Sequence, residues 1–211
     1  MLIPFQDLLA AYSQGLFPMG QSDHDTRFDW FRPTNRGILP LDVFHIPRRL
    51  RRRVRSGHYT ASLNSDFNFV IQNCARREDT WINRTIINSY LNLHRRGFAH
   101  SIESREDGRI IGGLYGVAFG GVFFGESMFS MQTAASQIAL LHLVCHLRQT
   151  GFRLLDIQFL TPHLQRFGAR EVSNLRYREL LAAALKFDRS LYSQPFVTDS
   201  AVALQRTNQI S

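Results

Sequence analysis

Residues 121–130 read GVFFGESMFS. An apolar run breaks at Gly125 and is followed at once by a carboxylate, Glu126, and then by Ser127, Met128 and Phe129. The composition is that of a buried strand, where a carboxylate without a partner is costly. A second strand-like run, RLLDIQF at 153–159, carries Asp156 and Gln158 among apolar neighbours. Alternate positions along a strand project to one face, which places Asp156 and Gln158 side by side. A carboxylate steadied by an amide can take a proton from an attacking amine, a task worth about 10² to 10⁴ in rate. A lone strand Asp more often satisfies backbone groups at a helix end. Three polar groups in two apolar strands point instead to a site.

Outward from these strands the periodicity is clear. Ala99 to Ser104 alternates as a strand, Glu106-Asp107-Gly108 is hairpin-turn chemistry, and Ile110 to Ala118 returns. Phe119-Gly120-Gly121 turns again, so the three strands form an antiparallel meander. Ala134 to Arg148 reads as a long amphipathic helix stopped at Gly151, which makes the strand at 153–159 the product of a parallel crossover. Upstream, helices are expected over Pro4 to Tyr12, from Pro47 through the following arginines, from Asn64 or Asp66 to Cys74, and from Asn83 to Gly97. Residues 21–29 are polar loop, Ile38-Leu39-Pro40 a short extended piece, and Tyr59 to Leu63 a strand. His163 to Phe167 and Asn174 to Leu185 are closing helices.

This element order is that of the acetyltransferase-like (GNAT) α/β, or α+β, fold: a mixed sheet with flanking helices that splays open beside the strand carrying the chemistry. Gly125 would mark the bulge at the opening, since glycine inside a strand often does. The expected organisation is a small N-terminal subdomain at 1–33, a catalytic domain at 34–190 and a flexible tail at 191–211.

The chain of 211 residues is long enough to bury a substantial core, with 17 Phe supplying bulk. No apolar run reaches the roughly 18 residues of a membrane span, and the N-terminus lacks a basic signal region. Cys74 and Cys145 have no metal spacing and read as buried free thiols, which suits the cytoplasm. The net charge is +8, and Lys186 is the only lysine. Arg48, Arg49, Arg51, Arg52, Arg53 and Arg55 crowd into PRRLRRRVR at 47–55, a cluster that points to a polyanionic partner rather than a merely solvated face.

Other motifs are weaker. Leu114, Phe123 and Met128 are as consistent with plain core as with an apolar pocket. His142 and His146 lie four apart on one helix without an HExxH pattern and read as helix surface; His45, His94, His100 and His163 have no evident partner. Ser127 in GESMF is not a GxSxG elbow. The junction SMQTAASQ at 130–137 has no glycine with which to cradle a pyrophosphate, which counts against acyl-CoA as donor.

Taken together, LLAAYSQGLFP (8–18), TWINR (80–84), GFAHSIE (97–103), GGLYGVAFGGVFFGESMFS (112–130) and LLDIQFLTPHLQRFGARE (154–171) closely resemble leucyl/phenylalanyl-tRNA–protein transferases, in register over about residues 8 to 180. The resemblance implies transfer of Leu or Phe, less well Met, from charged tRNA to the α-amine of a protein beginning with Arg or Lys. The product is an N-degron for a bacterial adaptor–protease system. It implies no metal and no cofactor, and because ester-to-amide transfer is downhill, no ATP. By position, Asp156 and Gln158 match the pair proposed to relay the amine's proton. Glu126 matches the acid that orients the aminoacyl end. Leu114, Phe123, Met128, Leu143 and Leu155 match the side-chain pocket, and Tyr12, Trp81 and Tyr90 the cleft aromatics. Arg48 to Arg55 matches the basic stretch on the tRNA acceptor stem. Met19 stands where some members stack a Trp on the terminal adenine, and Gln137 where the helix usually carries Lys. A glycine-containing segment that usually precedes the first helix is missing. The expected partners are aminoacyl-tRNA and the acceptor protein, with the enzyme a monomer. The competing readings are an acyl-CoA-dependent N-acetyltransferase and a non-catalytic RNA-binding protein that keeps the basic patch. The second of these gives no reason to keep polar groups at all three site positions.

Overall fold

Side chains set the starts of several helices. Asp66 accepts from the amide of Phe69, Asn83 from that of Ile86, and Thr161 from that of Leu164, each at the position where the helix leaves amides unpaired. In this computed structural model, which describes residues 1–22, 26–76 and 80–209, the elements follow in order. They are α1 (Phe5–Ser13), β1 (Phe17–Gly20), β2 (Phe28–Phe31), β3 (Asn35–Ile38), α2 (Arg48–Ser56), β4 (Tyr59–Leu63), α3 (Phe67–Cys74) and α4 (Arg84–Arg95). Then come β5 (Ala99–Glu106), β6 (Arg109–Phe119), β7 (Val122–Ser130), α5 (Ala135–Gln149), β8 (Leu154–Gln158), α6 (Pro162–Gln165), β9 (Arg170–Ser173), α7 (Asn174–Ala184) and α8 (Ser200–Gln209). Part of the expected 21–29 loop, residues 23–25, lies outside the described residues.

The fold is α+β, with one mostly antiparallel seven-stranded sheet in the order β4-β5-β6-β7-β8-β3-β9 and helices on both faces. The β5–β6–β7 meander forms as expected, with Asp107 and Gly108 both at positive φ in the first turn. The α5 crossover makes β7 and β8 parallel. β1 and β2 pair separately as a two-stranded ribbon. Neither β3 nor β9 carries a strand-like pattern, because NRGI and REVS are short and polar; they form by pairing with each other, and β3 also pairs with β8. One face of the sheet packs against α2, α5 and α8, the other against α1, α3, α4 and α7.

Two irregularities shape the middle of the sheet. Register between β6 and β7 slips so that Gly116 faces Gly125 while Tyr115 faces Ser127, leaving Glu126 as the extra residue of a bulge. The slip inverts the alternation: Phe124 and Phe129, five positions apart, pack on the same face. The β7–β8 pairing ends at Phe124 opposite Asp156, so the two strands part just before Gly125.

The C-terminal segment corrects the expectation of a tail. Helix α8 packs against α5, with Ala203 and Leu204 buried. His142 and His146, expected on a helix surface, are buried as well. His142 donates through Nδ1 to the Val197 carbonyl at 2.9 Å and accepts at Nε2 from the Ser200 hydroxyl at 2.7 Å; His146 donates through Nε2 to the Leu191 carbonyl at 2.6 Å. Burial pushes the His142 imidazole down to about 4, which keeps it neutral in this role. Such contacts leave no hydropathy period, and they cover what would otherwise be the outer face of α5. Replacing Leu204 with Ala should therefore lower the unfolding free energy by about 2–5 kcal/mol, read from the denaturant midpoint at unchanged m-value. A loss under about 0.5 kcal/mol, the usual surface value, would mean the segment is not part of the core.

Candidate active site

The bulge turns Glu126 into a pocket of donors. Tyr12, on α1, donates to Oε1 at 2.6 Å; Tyr90, on α4, donates to Oε2 at 3.0 Å; Gln158 donates to Oε1 through Nε2 at 2.8 Å. The two tyrosine oxygens also lie within hydrogen-bond reach of each other, and with one proton apiece a bond between them forms only when one hydroxyl turns its proton away from Glu126. Among the described residues, no cation touches this carboxylate. Burial pushes Glu126 up to about 7 from its ordinary 4.5, against the opposing pull of its three donors. Burial, and then the charge of Glu126, push both tyrosines well above their ordinary value, so they remain donors.

Asp156 is held differently. Arg36, on β3, forks onto it, Nε to Oδ1 at 2.9 Å and Nη2 to Oδ2 at 2.7 Å. Tyr177, on α7, donates to Oδ2 at 2.6 Å, and the backbone amide of Gln158 donates to Oδ1 at 2.9 Å. Four donors fill the roughly four acceptor positions of a carboxylate, and the residue is fully buried. Burial alone would lower the proton affinity of Arg36, but the Asp156 carboxylate outweighs it and the guanidinium is pushed up.

Strand geometry led to the expectation that Asp156 and Gln158 lie side by side. They do not, because Gln158 leaves the strand with φ at 62°, in the left-handed region. For a residue with a side chain this conformation costs about 1–3 kcal/mol. The bond from its amide to Asp156 holds it there, and its side chain turns to Glu126 instead.

Beside Glu126 opens a cavity of 760 Å³ between the parted strands. Leu114, Met128, Leu143 and Leu155 line it together with Glu126, Gln158 and Trp81. Phe123 belongs to the same apolar cluster but stands behind the wall, fully buried. Tyr12 and Tyr90 reach the site through Glu126 rather than by lining the cavity. Met19, on β1, is half-buried, and its neighbour Gly20 is tied by its amide to the Trp81 carbonyl. The arginines lie along α2, anchored by buried Leu50 and Val54, with Arg48, Arg51, Arg52 and Arg55 around a surface hollow of 290 Å³. Arg53 turns aside to donate to the Tyr59 hydroxyl, and Arg49 is exposed. Sequence reasoning missed Arg36 and Tyr177. The one available signal was a bookkeeping one: a fully buried Asp needs a cation, and Arg36 stands alone in an otherwise neutral stretch, TNRGILP.

An acid tuned to neutrality, fixed by neutral donors at the wall of a largely apolar cavity, suits an enzyme that joins an apolar acyl group to an amine. The sequence comparisons make that class specific. Residues 38–182 match the leucyl/phenylalanyl-tRNA protein transferase family. Proteins bearing that name are 47% identical over 210 residues in Maricaulis maris, covering 98% of this chain and 97% of the relative, and 50% identical over 204 residues in Ruegeria sp., covering 97% of each. The chain belongs to the leucyl/phenylalanyl-tRNA–protein transferase family and is an aminoacyltransferase. Among solved structures, the C-terminal domain of a putative lysylphosphatidylglycerol synthetase from Agrobacterium fabrum aligns at a TM-score of 0.42 and 13% identity, over 95% of this chain and 68% of that one.

The Glu126 environment makes stability depend on pH. The folded chain takes up this proton near 7 and the unfolded chain near 4.5, so the native state binds more protons between those values and loses stability as pH rises through them. A displacement of that size corresponds to roughly 3 kcal/mol. Buried His142, held down to about 4, works in the opposite direction over the same range, so the test is the difference between proteins: from pH 5 to pH 8 the parent should lose roughly that much stability relative to Glu126→Gln, measured by denaturant unfolding. An equal change in both proteins would show that Glu126 does not titrate as described.

Proposed function

We propose that the cavity beside Glu126 receives the leucyl or phenylalanyl end of a charged tRNA, and less readily a methionyl end, and passes it to the α-amine of a protein that begins with Arg or Lys. The amine nitrogen attacks the ester carbonyl carbon. The new C–N bond forms, the bond to the ribose oxygen breaks, and the proton lost by the amine ends on that oxygen. An ester becomes an amide, a downhill change that needs no ATP. The observation that carries the reading is Glu126, held by Tyr12, Tyr90 and Gln158 at the wall of the cavity.

In this reading Glu126 and Gln158 orient the reacting amine and ester, and Glu126, poised near neutrality, accepts hydrogen bonds from an amine or a proton in passing. Leu114, Met128, Leu143 and Leu155, backed by Phe123, take a side chain that is unbranched at Cβ. Asp156, its acceptor positions filled, acts through Gln158 rather than as the base. Trp81 and Met19 flank the tRNA's 3′ end, and Arg48, Arg49, Arg51, Arg52, Arg53 and Arg55 hold the acceptor stem. The parting of β7 from β8 favours the acetyltransferase-like architecture, although α5 begins after Ala134 without a glycine loop for a coenzyme. The enzyme is read as a cytoplasmic monomer.

The test is incorporation of labelled Leu from Leu-tRNA into a protein with N-terminal Arg, against an N-terminal Asp version and acetyl-CoA as controls. Labelling of the Arg substrate alone is expected, and labelling from acetyl-CoA would move the coenzyme reading to the front. Changing Arg51, Arg52 and Arg53 together to Ala should weaken tRNA binding and flatten its salt dependence by up to about 0.9 in log–log slope per lost phosphate contact. Glu126→Ala should abolish transfer and leave tRNA affinity nearly unchanged. Equal loss of tRNA binding in both variants would undo this division of roles.

A further inference from the structure

Arg36 is nearly inaccessible, 1% exposed, and is the largest of the fully buried side chains. It lies outside the cavity, yet both of its ends lead to the Glu126 carboxylate. Through Nε and Nη2 it forks onto Asp156, two residues before Gln158. Through Nη1 it donates at 3.0 Å to the carbonyl of Gly15, three residues after Tyr12. Tyr12 and Gln158 are the two groups that donate to Oε1 of Glu126. Arg36 thus joins the segment that delivers one donor to the segment that delivers the other.

Its plane is fixed as well as its charge. The guanidinium carbon lies 4.7 Å from the centre of the Phe17 ring and 4.7 Å from that of the Tyr177 ring. Flat stacking combined with a two-pronged bond to a carboxylate is available to Arg and not to Lys. Gly15 allows the approach: it adopts φ of 77°, and a Cβ there would come within 2.9 Å of the Tyr177 ring. A buried ion pair of this kind is weak support for stability, since an apolar pair of similar volume often serves as well. What an apolar pair cannot do is accept the Gln158 amide and so hold that residue in the left-handed region.

We propose that Arg36 is a positioning residue for the transfer reaction, setting Tyr12 and Gln158 on Glu126 from outside the cavity; this rests on the reading of Glu126 and Gln158 as the reacting wall. Two variants test it. Arg36→Lys keeps the charge and loses the fork, and the double change Arg36→Met with Asp156→Leu replaces the pair by apolar groups. Each is measured for melting temperature, for kcat and KM with Leu-tRNA and an Arg-starting protein, and for hydrogen exchange at the Gln158 amide. Both should lower kcat by about 10- to 100-fold, the scale of a small misplacement of reacting groups, with KM for Leu-tRNA unchanged. Both should lose protection at the Gln158 amide, and the double variant, which also leaves the Tyr177 hydroxyl and the Gly15 carbonyl without their partners, should melt below the wild type.

Wild-type kcat in either variant, or an amide still protected as in the parent, would overturn the proposal. Where the double variant does not fold, Arg36→Lys decides alone. An unaltered protein that transfers nothing would fail the proposed function instead, and amide exchange would still report whether Arg36 holds Gln158.

Discussion

A single inserted residue governs the centre of this molecule. Without the slip between β6 and β7, Phe129 would point to the face opposite Phe124 and Met128 to the face opposite Phe123, and neither apolar cluster would close as it does. The inserted residue is Glu126, and its place in the bulge frees it from the ladder to meet side chains from α1, α4 and the end of β8. The parting of β7 from β8 one step earlier opens the cavity on which it borders. The bulge, the opening and the acid are one feature of the fold.

Two buried carboxylates sit close to this feature, and their surroundings differ in kind. Asp156 meets a guanidinium, a phenol and a backbone amide, which fill its acceptor positions. Glu126 meets neutral donors among the described residues, and its burial raises it to about 7. Environments that separate two acids in this way assign them different work. The filled one holds the backbone, and the neutral-tuned one borders the cavity. A third buried carboxylate, Glu103, is met by the hydroxyls of Ser62, Ser65 and Ser101 and does not line the 760 Å³ cavity; it ties the turn after β4 to β5. Burial of an acid therefore does not by itself mark chemistry here. The cavity does.

How much of this the sequence displayed follows from what each feature depends on. The meander and the crossover were legible, because alternation and the Asp107-Gly108 turn are local. Glu126, Asp156 and Gln158 stood out as polar groups in apolar strands. The pairing of Asp156 with Gln158 was misread because a positive φ at a glutamine has no sequence signal; it comes from the amide bond to Asp156, which in turn needs Arg36. Strands β3 and β9 and the docking of α8 were hidden for a related reason. Each is held by partners distant in the chain, through backbone ladders or histidine–carbonyl bonds, and neither kind of contact has a period.

The same logic explains why the arginines divide. Arg36 is stripped of water and committed to one carboxylate, two rings and one carbonyl, all four lying within the wall that supports Glu126. On α2, Arg48, Arg49, Arg52 and Arg55 are exposed, with Leu50 and Val54 of that helix buried beneath them. A charge in water is screened within about 10 Å at moderate salt, so several must act together to hold a polyanion, and any one is replaceable. A charge in the core is scarcely screened and cannot be moved without leaving a carboxylate unpaired, a loss of roughly 3–5 kcal/mol. Composition counts both kinds alike as arginine. It is burial that separates an exposed, adjustable cluster from a fixed brace behind the cavity wall.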